Sequence, residues 1–161
     1  MFFNGSSAQE ESLCHSSFLY NVLRTFDKTY YEWNRKHLNR ALYTDRALYS
    51  PNILFFDQLR QCYFDVITCA APNYGAAAKW QHVFAEENRA VLTNRIKFIA
   101  EIAEENEVET LVLGAYGCGV FQQDPSVVAA VFHEVFQATT VKQLLFPIPD
   151  NTNLSPFQKE F

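Results

Sequence analysis

Two adjacent carboxylates, Glu10 and Glu11, follow Gln9 near the start of the chain. Carboxyl groups can transfer protons in acid–base catalysis when their surroundings hold the pKa near the working pH. Glu10 also has a simpler explanation, because Ser7 and Glu10 have the spacing of a capping box at the start of a helix. Adjacent helical positions point about 100° apart, so the two carboxylates cannot face each other across one bond. Glu11 is therefore the carboxylate that the cap does not explain.

A glycine-rich segment, GAYGCGVF at residues 114–121, is the second place where the sequence could do chemistry. Closely spaced glycines let successive backbone N–H groups point to one side, and such a nest near a helix start suits phosphate oxygens. The segment is not a P-loop, because no Lys-Ser/Thr pair follows it, and it lacks the full GxGxxG pattern. Asp124 would cap the next helix and repel anions, so a diphosphate would depend on N–H groups upstream of it. A tight turn that binds nothing explains the glycines equally well.

Helical spacing of apolar residues indicates the elements that must position these groups. The first helix is predicted to begin at Ala8 and to run to about Arg24. A weaker pattern over residues 25–49 predicts a short helix followed by a loop. Residues 79–105 are predicted to form one long helix, or two with a bend near Asn88.

Short apolar runs rich in β-branched residues predict strands between these helices. The predicted strand segments are residues 49–57, 63–73, 110–114 and 141–151, the second and third of them buried and the last ending in a loop. A further helix is predicted with Asp124 as N-cap and Pro125 at its first position. Its inner face is predicted to contain Val128, Val131, Phe132 and Val135. Strands and helices that alternate in this way predict parallel pairing and a layered α/β fold.

The composition excludes several classes of partner. The net charge is −5 and the 13 Lys and Arg residues are scattered, so no basic stripe is available for a nucleic-acid backbone. No apolar run approaches the roughly 18 residues that a membrane-spanning helix needs. The four cysteines form no CxxC pair, which favours a reducing, cytoplasmic location. At this length the chain is predicted to form one domain, residues 1–161.

Four segments together resemble a known family. They are FFNGSSAQEESLC, YSP at residues 49–51, ITCAAPN at residues 67–73 and LGAYGCGVFQQDP at residues 113–125. In this order they resemble the microbial type of poly(ADP-ribose) glycohydrolase, a macrodomain family, and the similarity runs along essentially the whole chain. The glycine segment and the Gln-Glu-Glu run are a fairly specific signature only in combination.

The resemblance implies a role for each candidate site residue. Such enzymes hydrolyse the ribose–ribose O-glycosidic bonds of ADP-ribose polymers. By similarity, Glu11 would be the catalytic acid and Glu10 would bind a ribose hydroxyl and orient the bond. The residues that would contact the substrate are Asn4, Gly5, Gln9, Gly117, Cys118, Gly119, Val120 and Phe121. The last five would hold the diphosphate, with Phe121 against a ribose, and neither a metal nor a cofactor is implied.

The resemblance also implies the architecture: an α/β, macrodomain-like mixed sheet sandwiched between helices. Met1 stands where the family has a glycine, so the first strands of the family fold are expected to be missing. An unpaired sheet edge would then be exposed, and such an edge favours association of two copies of the chain. The implied partners are ADP-ribose, poly(ADP-ribose) and ADP-ribosylated proteins.

Two classes of function stay open at this point. The first is an active glycohydrolase that uses Glu11. The second is a non-catalytic ADP-ribose-binding module, or an inactive truncated remnant that serves only as a scaffold. A third interpretation makes Cys118 a nucleophile with His82 or His133 as its base, but no pattern places either histidine beside it.

Overall fold

The computed structural model describes residues 9–149 and 151–161. The chain divides into two compact units. The described residues up to His37 form the first unit together with Arg46–Ala70, and the second contains Leu38–Asp45 and Ala71–Phe161. The prediction of a single domain over residues 1–161 stays a prediction.

The first unit begins with a series of short helices. They are α1 (Gln9–His15), α2 (Leu19–Leu23), a 3-10 helix (Arg24–Phe26), a π-helix (Asp27–Glu32) and α3 (Trp33–Lys36). The single helix predicted from Ala8 to Arg24 is therefore wrong, and its start with the Ser7 cap lies outside the described residues. Ser17 interrupts it, because the Ser17 hydroxyl donates to the Leu13 carbonyl and accepts from the Leu19 N–H. Serine competes with helix hydrogen bonds in this way.

An antiparallel hairpin completes the first unit. Strand β1 (Ala47–Phe56) pairs with β2 (Gln61–Cys69), in register from Ala47 opposite Cys69 to Phe56 opposite Gln61. The register shifts between Ser50 and Ile53, where Pro51 has no N–H to donate. The strand predicted over residues 49–57 is confirmed.

The burial predicted for the strand over residues 63–73 is wrong at residues 63–65, because residues 61–65 of β2 are exposed. Tyr63 is 66% exposed and Phe64 is 53% exposed. Apolar β-branched and aromatic composition shows which residues would gain from burial. It does not show whether a neighbouring element covers them.

Two helices, not one, follow in the second unit. Helix α4 (Tyr74–Gln81) begins after Asn73, whose side chain accepts from the Ala76 N–H, and α5 spans Ala85–Glu105. The break is at His82, which adopts a left-handed φ of 52° and ends α4. Two helices are therefore confirmed, but the predicted bend near Asn88 is wrong.

The rest of the second unit is β3 (Thr110–Val112), α6 (Pro125–Phe136), β4 (Gln143–Leu145) and α7 (Asn151–Glu160). Strands β3 and β4 pair in parallel, as predicted, although β3 is not a buried strand. The Asp124 cap is confirmed, because its carboxylate accepts from the Ser126 N–H. The sequence pattern missed α7. The described strands form two two-stranded sheets, one antiparallel and one parallel, and the α/β class is confirmed.

The core of the second unit lies between α5, α6 and α7. The predicted inner face of α6 is confirmed, since Val128, Val131, Phe132 and Val135 are all buried. Arg95 of α5 is also fully buried, and its Nε lies 2.6 Å from Asp45 Oδ1. Its guanidinium also donates to the Leu42 carbonyl at 3.3 Å. These contacts attach the segment Leu38–Asp45 to the rest of this unit.

Candidate functional site

Helix α1 positions the Gln-Glu-Glu run in the first unit. Gln9 is exposed, whereas Glu10 and Glu11 are partly buried. The Glu10 carboxylate accepts a hydrogen bond from the Tyr31 hydroxyl, with Oε2 and the phenol oxygen 3.3 Å apart. Asn4 and Gly5 lie outside the described residues.

The surroundings of Glu10 change its proton affinity. Burial raises the pKa of Glu10 to about 7, and the hydrogen bond from Tyr31 offsets part of that rise. Burial disfavours the charged carboxylate, whereas a donated hydrogen bond favours it. Near neutral pH the Glu10 carboxyl is therefore divided between its neutral and charged forms, which is the condition that acid–base chemistry requires.

Tyr31 contacts this candidate site, and the sequence analysis did not identify it. It follows Tyr30 in the π-helix, and the two rings meet edge to face with centroids 5.0 Å apart. Tyr30 is buried, and its hydroxyl donates to the Thr68 carbonyl of β2 at 3.1 Å. The only signal in the sequence was a pair of tyrosines among charged residues, which does not reveal a π-helix.

The glycine segment forms compact consecutive turns in the second unit. Gly117 has a φ of 75°, in the left-handed region that favours glycine. The Gly117 carbonyl accepts from the Gln123 N–H at 3.0 Å, and the Gly119 carbonyl accepts from the Gln122 N–H at 3.0 Å. Within the described part of the chain, the N–H groups of residues 119–121 donate to no backbone carbonyl. The segment therefore combines a glycine-dependent turn with backbone donors that are available to an anion.

Gln123 holds this segment in place through hydrogen bonds of its side chain. Its side chain is buried, and its amide exchanges two hydrogen bonds with the Asn88 amide, at 2.8 and 2.9 Å. The Gln123 Nε2 also donates to the Pro72 carbonyl at 2.9 Å. Phe121 is held nearby, because its carbonyl accepts from the Gly75 N–H at 2.9 Å and its ring lies 6.0 Å from that of Tyr43. These contacts position the glycine segment relative to α4 and α5.

Cys118 lacks the features of an activated nucleophile. Burial, and to a smaller extent the Asp124 carboxylate, raise the pKa of its thiol to about 12, so the thiol stays protonated at neutral pH. Its sulfur lies 3.8 Å from the Tyr116 carbonyl oxygen. His133 contacts Gln137 and Glu160 instead. The geometry does not support the Cys-His interpretation.

Among residues 9–149 and 151–161, no group of three or more His, Cys, Asp or Glu side chains could hold a metal ion. Over the same residues, every helix is too short or too polar to cross a bilayer.

Comparison with known proteins gives a consistent result. A family model for the microbial-type poly(ADP-ribose) glycohydrolase (PARG) catalytic domain matches residues 1–58. The crystal structure of PARG from Deinococcus radiodurans in complex with ADP-ribose has 34% sequence identity to this chain and a TM-score of 0.89. The match covers 99% of this chain and 69% of that chain. No match to a curated protein sequence was found.

PARG from Thermomonospora curvata gives a second, similar comparison. Its crystal structure has 31% sequence identity to this chain and a TM-score of 0.85. The match covers 98% of this chain and 61% of that chain. These likenesses confirm the predicted macrodomain-like α/β fold and the resemblance on which it was based. The chain belongs to the microbial-type poly(ADP-ribose) glycohydrolase family.

Proposed function

We propose that this chain is a poly(ADP-ribose) glycohydrolase, which cleaves the ribose–ribose O-glycosidic bonds of ADP-ribose polymers. The observation with most weight is the likeness over almost the whole chain to a PARG solved with ADP-ribose bound. The partly ionised Glu10 carboxyl, as an acceptor for a ribose hydroxyl, and the backbone donors of residues 119–121 are chemically suited to this reaction.

In the proposed reaction, Glu11 is the general acid and base. Its carboxyl gives a proton to the departing ribose oxygen as the glycosidic C–O bond breaks and an oxocarbenium-like centre develops. The resulting carboxylate then takes a proton from a water molecule, whose oxygen bonds to that centre. Glu10 accepts a hydrogen bond from a ribose hydroxyl, and Gln9, Asn4 and Gly5 are proposed to line the same site.

The glycine segment is proposed to bind the diphosphate of the substrate. Backbone N–H groups at Gly117 and at residues 119–121, Val120 among them, would donate to the phosphate oxygens, as in other anion-binding nests. The Cys118 N–H donates to the Ala115 carbonyl at 3.0 Å, so Cys118 would line the turn and hold its shape, and the Phe121 ring would pack against a ribose. Asp124 already accepts from the Ser126 N–H, so the upstream turn is the better place for the anion.

ADP-ribosylated proteins are the proposed physiological partners, and the cytoplasm is the proposed location. Free thiols at all four cysteines, with no disulfide between them, support a reducing compartment.

Release of ADP-ribose from the polymer tests the proposal directly. The 161-residue protein is incubated with poly(ADP-ribose), and the products are separated by chromatography, while calorimetry measures the binding of ADP-ribose. We expect both binding and release. Saturable binding without release would favour the non-catalytic ADP-ribose-binding module, and the absence of both would favour a scaffold.

A pair of glycine substitutions tests the role of the turn. In Gly117→Ala the new methyl would lie 2.8 Å from Gln123 Cγ at a φ of 75°, so we expect a loss of about 2 kcal/mol of stability. In Gly119→Ala the methyl meets no atom within 4 Å, so stability should change by less than about 0.5 kcal/mol. Urea unfolding measures both.

Calorimetry on the same variants separates folding from binding. Gly119→Ala should weaken ADP-ribose binding about tenfold or more, because its methyl occupies space that a phosphate would need. Wild-type affinity in Gly119→Ala would contradict the proposed diphosphate site. Gly117→Ala should lose affinity through the distorted turn.

Association of two chains through a sheet edge also remains a proposal. The exposed rings of Tyr63 and Phe64 on β2 support it, because exposed apolar strands tend to pair. We expect light scattering to give the mass of a dimer, and the double substitution Tyr63→Lys and Phe64→Lys to give a monomer. A monomeric mass for the unsubstituted protein at high concentration would end this proposal.

A further inference from the structure

The hydrogen bond between Tyr31 and Glu10 joins two elements that are distant in the sequence. Tyr31 lies in the π-helix and Glu10 lies in α1, 21 positions earlier. Local periodicity does not produce this contact, so the fold of the first unit must bring the two side chains together. π-helices are rare and are frequently found at functional sites.

Neighbouring side chains hold the Tyr31 ring in position. The perpendicular ring of Tyr30 packs against it, and the Tyr30 hydroxyl is anchored to the Thr68 carbonyl. Tyr31 also packs on a buried apolar cluster formed by Leu19, Leu23, Ile53 and Val66. A hydroxyl held in this way donates in a defined direction without a large loss of side-chain entropy.

The other titratable groups near Glu10 in the described part of the chain do not supply this donation. Burial raises the pKa of Tyr30 above its usual range, and its hydroxyl donates elsewhere. Cys14, one turn along α1, has its pKa raised to about 11 by burial and by the two nearby carboxylates, so its thiol is neutral. Glu11 follows Glu10 on the same helix, and adjacent helical positions point about 100° apart. Among residues 9–149 and 151–161, the Tyr31 hydroxyl is thus the hydrogen-bond donor that favours the charged form of Glu10.

We propose that Tyr31 is a positioning residue for the reaction: its hydroxyl holds the Glu10 carboxylate as an oriented acceptor for a ribose hydroxyl. This inference rests on the proposed function. Tyr31 itself touches no reacting atom in this scheme. It acts by fixing one carboxylate oxygen and by keeping a useful fraction of Glu10 ionised near neutral pH.

The variant Tyr31→Phe removes the hydroxyl and keeps the ring. Because a hydrogen bond to the charged form is lost, the pKa of Glu10 should rise by about one unit. The acidic limb of the kcat/KM profile should move upward by the same amount, so that kcat/KM at pH 6 falls about tenfold. Chromatographic rates between pH 5 and pH 9 measure the shift.

Tyr30→Phe is the matched control, since it removes a hydroxyl one residue away that bonds to Thr68 and not to Glu10. We expect a lower melting temperature in this variant and an unmoved acidic limb, because the phenylalanine keeps the ring that packs against Tyr31. Equal shifts of the limb in the two variants would overturn the proposal, because a general loosening of the π-helix would then explain both. A Tyr31→Phe variant that no longer folds would overturn it as well.

A titration without substrate separates this inference from the proposed function. Carbon-13 NMR of the glutamate carboxyls, with Glu10→Gln to assign the resonance, measures the pKa of Glu10 in the unliganded protein. A higher pKa in Tyr31→Phe than in the unsubstituted chain supports the positioning contact, even if no polymer is cleaved. An unchanged pKa overturns the contact, even if the enzyme is active.

Discussion

Glu11→Gln should slow the release of ADP-ribose from poly(ADP-ribose) by about 10²–10⁴-fold, the range that general acid–base catalysis contributes. Glutamine has nearly the same size as glutamic acid, but it can neither give an acidic proton to the departing ribose oxygen nor take one from water. Glu11 lies in α1 and is partly buried, so the substitution changes the chemistry of the group with little change in packing. The affinity for ADP-ribose should change little.

Steady-state rates of ADP-ribose release and calorimetric binding, measured side by side, test this prediction. Glu10→Gln is the matched comparison, because it changes the adjacent residue. It weakens the proposed contact with a ribose hydroxyl and leaves the proposed acid, Glu11, in place. We expect it to raise KM more than it lowers kcat. A Glu11→Gln variant with unimpaired turnover would show that another group is the acid, and Glu10 would then be the first to consider, because its pKa is about 7.

Phe132→Ala should destabilise the protein by about 3–5 kcal/mol, the usual cost of removing a large buried aromatic side chain. Phe132 is 0% exposed and lies at the centre of the second unit's core. Its ring centroid is 5.6 Å from that of Phe146 and 6.1 Å from that of Phe136. Tyr116 of the glycine segment packs against the same ring at 6.3 Å, so the cavity would also remove support from the turn.

Thermal unfolding should show this as a fall in Tm of roughly 6–20 °C, since each kcal/mol corresponds to about 2–4 °C in a chain of this size. The matched control is Phe84→Ala, the same substitution at a side chain that is 73% exposed, where we expect a change below about 0.5 kcal/mol. Similar losses of stability in Phe132→Ala and Phe84→Ala would contradict the prediction that Phe132 is a core residue.

Much of the second unit could be predicted from local signals. The Asp124 cap involves an N–H only two positions away, so the sequence shows both partners at once. The inner face of α6 follows from apolar spacing in the same way. The break at His82 could not be predicted, because apolar spacing continues on both sides of it. Helix α7 was missed because Pro156 stands inside it and its apolar residues are few.

The candidate site was only partly predictable. The Gln-Glu-Glu run and the glycine segment were identified from residue types, and the left-handed φ of Gly117 agrees with the need for glycine in the turn. The roles given to individual residues in these runs remain proposals. Tyr31 and Gln123 were not predicted, because their hydrogen-bond partners are distant in the sequence. Glu10 lies 21 positions from Tyr31, and Asn88 lies 35 positions from Gln123.

The amino-acid sequence alone determined the family signature, the α/β class, the cap of α6 and the segments that contain the candidate acid and anion-binding groups. These depend on residue type and on neighbours within one helical turn. Only the tertiary structure decided that β1 and β2 pair antiparallel, that half of β2 is exposed and that Tyr31 donates to Glu10. The reason is that burial and long-range hydrogen bonds depend on which elements pack together. Local sequence patterns do not predict the free energy of those contacts.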